Sequence, residues 1–93
     1  MADVRTFDIN NNQHYVTAVG RFYGWRSKFD IVLEKATNEG RPLLESSDRK
    51  YLETIRDNLS NLKEFFLKDD SGRSKTVLEE IETRLEKLKT ELD

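Results

Sequence analysis

Catalysis by side chains needs a nucleophile beside a base, or a metal held by convergent ligands. Among these 93 residues the only histidine is His14, and there is no cysteine at all. His14 has no second imidazole or thiolate to join it, so a surface or capping role is expected for it. The carboxylates fall in the register of solubilising charge, and a small helical domain has no deep cleft in which to raise a carboxylate pKa. The four glycines are scattered and form no phosphate-binding fingerprint. No catalytic residue, cofactor-binding residue or metal ligand is therefore expected. The groups left to work with are those that recognise. Tyr15, Arg21, Tyr23, Arg26 and Lys28 cluster within one short segment, and arginine and tyrosine are overrepresented in binding hot spots.

Those residues need a helix to carry them. An apolar fraction of 35% with 37% charged residues is what long helices with one buried stripe and a charged outer face produce. Residues 1–12 lack helical spacing and read as an extended arm, with Phe7 and Ile9 folding back and Asn10 to Asn12 supplying a helix cap. A first helix is expected over 13–37, with Ala18, Phe22, Trp25, Phe29, Val32 and Ala36 spaced alternately four and three as a buried seam. Gly40 suits a left-handed C-cap, and Pro42 disfavours helix at Arg41.

The second helix is expected over 47–68, capped by Ser46 or Ser47, with Asp48 in its first turn and a seam of Leu52, Ile55, Leu59, Leu62 and Phe66. The third is expected over 76–92, opened by a capping box of Thr76 and Glu79, with a seam of Leu78, Ile81, Leu85, Leu88 and Leu92. Short joints make consecutive helices antiparallel neighbours. The expectation is an all-α, up-down-up three-helix bundle over 13–93 behind an arm.

Two features do not fit a plain bundle. Gly20 and Gly24 lie in mid-helix, where each costs about 1 kcal/mol against alanine. They share a strip with Thr17, Ser27 and Ile31, where small residues let another backbone come close, either a helix of the same bundle or a partner segment. Phe65 and Leu67 stand off the second seam, and either cover the bundle end and meet the arm or form an exposed apolar patch. The expected partner-binding set is Gly20, Arg21, Tyr23, Gly24, Arg26, Lys28, Phe65 and Leu67. Charge argues against some partners, nucleic acid among them: 16 basic against 18 acidic residues, interleaved, give no field of one sign for nucleic acid or anionic lipid. Another protein is the expected partner, with a homodimer as a further option.

Phe22-Tyr23-Gly24-Trp25, Leu52-Glu53-Thr54-Ile55 with Leu59 and Leu62, and Leu78-Glu79-Glu80-Ile81 with Arg84 give a layout that resembles the N-terminal three-helix domain of trans-Golgi and endosomal syntaxins. The arm before Gln13 has no counterpart there. The resemblance implies a regulatory module ahead of a SNARE helix and membrane anchor. The residues themselves also suit a small self-contained regulator, of phage or mobile-element type, that binds and modulates a host protein. The apolar runs are far short of the roughly 20 residues a membrane span needs, so a soluble, cytoplasmic chain is expected.

Overall fold

A computed structural model describes residues 3–93; residues 1 and 2 of the expected arm lie outside the described residues. Three helices follow one another, α1 (Asn12–Glu39), α2 (Arg49–Leu67) and α3 (Lys75–Leu92), and pack as an antiparallel three-helix bundle. α1 has 28 residues and runs the length of a molecule measuring 43 × 26 × 21 Å. Among the described residues no helix is long and apolar enough to cross a membrane.

The seams form the core as their spacing requires. Ala18, Phe22, Phe29, Val32 and Ala36 of α1 are buried, as is the whole α2 seam of Leu52, Ile55, Leu59, Leu62 and Phe66. On α3, Ile81, Leu88 and Leu92 are buried, while Leu78 and Leu85 pack against the core half-buried. α2 is the centre of the arrangement: it packs closely on α3 and on α1, whereas α1 and α3 meet only sparsely. Trp25 departs from the expected seam. It is half-buried, because the α2 surface beside it presents Asn58 and Asn61, and with them it lines a shallow hollow under Asp3 and Val4.

The arm is not extended throughout. Asp3 caps a single 3-10 turn, Val4–Thr6, which lays the buried Val4 on α2. Phe7 and Ile9 follow, half-buried against the core, so the arm does fold back onto the bundle.

The joints hold both agreements and corrections. Asn11 caps α1, its side-chain oxygen accepting from the backbone N–H groups of Gln13 at 2.9 Å and His14 at 3.2 Å. Gly40 ends it at φ 65° and ψ 31°, where a Cβ would be strained, and Gly40 and Arg41 donate back to Thr37 and Ala36 carbonyls.

The α2 cap is Asp48, not Ser46 or Ser47. Leu43 is drawn fully into the core, the turn that follows it buries Ser46, and the chain reaches helical geometry only at Arg49. The Asp48 carboxylate then accepts from Lys50 N–H at 2.8 Å. Nor does Thr76 open α3 through a capping box. Helix begins at Lys75, so Thr76 is already inside it, and the preceding Ser74 makes no side-chain cap because its hydroxyl is committed elsewhere.

Phe66 is fully buried at the hub, while its neighbour Leu67 is 57% exposed. Phe66→Ala is expected to destabilise the fold by about 3–5 kcal/mol in urea unfolding, whereas Leu67→Ala should stay within about 0.5 kcal/mol.

Candidate interaction face on the first helix

The outward side of α1 is set by its inward side. Once Ala18, Phe22, Phe29, Val32 and Ala36 face α2 and α3, the 3.6-residue repeat puts Val16, Gly20, Tyr23, Ser27 and Ile31 on the opposite side, with Gly24 next to them. Three of these are large and exposed: Val16 at 56%, Tyr23 at 49% and Ile31 at 64%. The glycines between them are exposed too, and a Cβ built on either would meet nothing within 4 Å. Close packing inside the bundle is thereby excluded as the reason for Gly20 and Gly24.

The cations expected on this face are drawn off it sideways. Arg26 pairs with Glu80 of α3 at 3.0 Å, and its guanidinium lies 4.7 Å from the Tyr23 ring centroid. Arg21 lies 5.0 Å from the Phe7 ring and fastens the arm to the helix. Lys28 reaches back over Trp25, 5.7 Å from its ring. Each contact of this kind is worth about 0.5–1 kcal/mol at an exposed site. Their larger effect is to leave the middle of the outward face uncharged, as an apolar and small-residue strip from Val16 to Ile31.

Of the expected partner-binding residues, Gly20, Tyr23 and Gly24 come together on the strip, with Arg21, Arg26 and Lys28 along its margins. Phe65 does not belong. It is 2% exposed, packed edge-on to Phe66 at 5.2 Å and to Phe7 at 6.2 Å, because the arm closes over it. Leu67 is exposed at the end of α2 and is not part of the α1 strip. Val16 escaped the sequence reading, although its place four residues before Gly20 puts it on the same line.

α1 and α3 are laced by charge where their apolar contact is thin. Arg84 holds Asp30 with two bonds, at 3.1 and 3.0 Å, while also donating to the Glu80 carbonyl. At the opposite end Ser74 is buried and donates to Asp69 Oδ2 at 2.7 Å. Its one proton is thus used, so Tyr15 is the donor in the 3.0 Å bond between the two hydroxyls. Arg73 stacks 3.7 Å from the Tyr15 ring and also pairs with Asp69. His14 has a structural post: its Nδ1 accepts from Asp8 N–H at 2.9 Å, and its ring stacks on Phe7. Among the described residues no group of acidic or imidazole side chains is arranged to hold a metal ion.

No family model, no curated protein and no solved structure matches the chain.

The Ser74 hydroxyl above all, then Ser71 and the Arg73 guanidinium, hold the Asp69 carboxyl well below its ordinary value of 3.8. Asp3 is lowered to about 2 by its bond to Arg5. A carboxylate depressed in the folded state contributes stability that is present above its unfolded pKa and lost as pH falls through the folded one. Stability should therefore decline as pH drops below 3.8. Asp69→Asn should be less stable than the parent at pH 7 and show a shallower loss in acid, read as thermal midpoint against pH.

Proposed function

We propose that this chain is a non-enzymatic helical interaction module that binds a protein segment through the outward face of α1. The observation that carries the reading is the pair of open glycines in mid-helix. In a chain with 37% charged residues, the centre of the longest helix presents Val16, Gly20, Tyr23, Gly24, Ser27 and Ile31 to solvent without a charge among them. Two glycines there forgo about 1 kcal/mol each, and the bundle gains no packing in return. A partner backbone lying along the open helix surface between Val16 and Ile31 would make use of both. Tyr23, held by Arg26, offers an aromatic anchor beside the glycines, and the Arg21 and Lys28 margins supply a polar rim.

The bundle is then a scaffold whose task is to keep α1 straight and its face open. This reading has no substrate, cofactor or metal. The lack of cysteine fits a reducing compartment such as the cytoplasm. Nucleic acid is a poor fit, because the nearby arginines already face Glu80 and Phe7.

The test separates folding from binding. Gly20→Ala with Gly24→Ala should raise stability by about 1 kcal/mol per site, since both positions are open and helical. Gly20→Leu with Gly24→Leu should leave the circular dichroism of the bundle unchanged yet abolish capture of a partner from the source cells. Undiminished capture by the leucine variant would remove this face as the contact.

A further inference from the structure

One imidazole sits where the arm meets the bundle. His14 is the only histidine in the chain and lies half-buried in the first turn of α1. Its Nδ1 accepts from the Asp8 N–H at 2.9 Å, and its ring stacks on Phe7 with centroids 4.9 Å apart. Phe7 in turn lies edge-on to the buried Phe65. We propose that His14 is a pH-sensitive latch: the neutral imidazole holds the arm closed over Phe65, and its protonation lets the arm open while the three helices stay packed. This holds whatever occupies the outward face of α1.

The geometry sets the sign. A ring nitrogen that accepts a hydrogen bond carries a lone pair, so the contact with Asp8 exists only while Nδ1 is unprotonated. The imidazolium has an N–H at both ring positions, and a proton on Nδ1 would point at the Asp8 N–H, donor against donor. The first turn of a helix is also the end where its dipole disfavours a cation, and α1 has no acidic residue there to offset it. The closed arm therefore binds fewer protons than the open one, and closure is favoured as pH rises.

The charged groups around the latch come from every side. Arg21 of α1 lies 5.0 Å from the same Phe7 ring. From the joint between α2 and α3, Arg73 donates to the Ile9 carbonyl at 3.4 Å and pairs with Asp69. From α2, Glu64 and Lys68, opposite in sign, line a hollow beside Val4 and Phe65. Within the arm Asp3 and Arg5 pair with each other, and the Asp8 carboxylate accepts from the Asn10 N–H at 2.9 Å. Asp8 is thus the one group placed to hold an imidazolium instead, and it is the rival that the experiment must separate. The strap itself is shallowly seated: Val4 is the only buried residue between 3 and 11, and a hollow lies to each side of it.

Trp25, the only tryptophan, lines the hollow under Asp3 and Val4 and so reports whether the arm is in place. The full chain should be titrated from about pH 7.5 to about pH 5.5, where an imidazole takes up its proton and carboxylates stay ionised. Trp25 emission should move to longer wavelength as pH falls, with the helical circular dichroism steady. Loss of one hydrogen bond corresponds to a rise of about three- to tenfold in the ratio of open to closed arm. His14→Gln, neutral and unable to titrate, should show no such shift. His14→Phe, which keeps a ring to stack but no acceptor, should read as more open than the parent at the upper pH and be equally unresponsive. Constant emission in the parent would overturn the latch. So would a shift to shorter wavelength, the sign of Asp8 holding the imidazolium, or a response that persists in His14→Gln.

Discussion

Everything in this fold is arranged around the burial of α2. Its seam of Leu52, Ile55, Leu59, Leu62 and Phe66 is enclosed along its whole length, and Phe65 on the adjoining face is enclosed as well. One seam can be satisfied by two neighbouring helices. A second apolar face needs another cover, and the arm provides it, with Val4 and Phe7 brought over α2 by the short 3-10 turn and the Phe65 ring held between arm and bundle. The arm is therefore part of the core, although by length it is an appendage. Tyr15 packs edge-on to Phe66 at 5.6 Å and so ties the start of α1 to the same hub.

Because α2 takes most of the apolar contact, little is left between α1 and α3. That edge is fastened by Arg26 with Glu80 and Arg84 with Asp30 instead. Arg84 is only 16% exposed, which shields its pair from solvent more than an ordinary surface bridge. The division of labour matters for α1. Packed on one partner and laced to the other, it has no need of its outward side, and that side is free to depart from the charged surface found elsewhere on the bundle.

The helices were legible in the sequence because a buried seam has to repeat at the period of a helix, and nothing in a small core overrides that rule. Gly40 was legible for the same kind of reason: a left-handed cap is the one conformation that selects glycine so strongly. The α1 cap was legible too, Asn11 lying within the Asn10 to Asn12 run; the N-caps of α2 and α3 were not. Ser46, Ser47 and Asp48 are all competent, and the choice fell to the depth at which Leu43 is anchored, a tertiary fact. Thr76 and Glu79 had capping-box spacing, but Ser74 was already engaged with Asp69 and the helix began one residue earlier. Phe65 and Trp25 exchanged places for a similar reason. The arm covers the first, while polar Asn58 and Asn61 leave the second half-buried. On the candidate face the glycines were visible as anomalies. That they open to solvent, and that Arg21, Arg26 and Lys28 turn off the strip, depended on groups far away in the chain.

The two glycines also bear on how the molecule comes into being. Isolated helices depend on propensity, and a segment with two central glycines and a weakly amphipathic pattern has little helicity of its own. α1 precedes in the chain the α2 that buries its seam, so made alone it lacks the packing that holds it helical. That packing, centred on the buried Phe66, comes only with α2. A product interrupted before α2 would carry every residue of the outward face in its sequence and little of it in helical shape. The form of that face therefore depends on completion of the bundle.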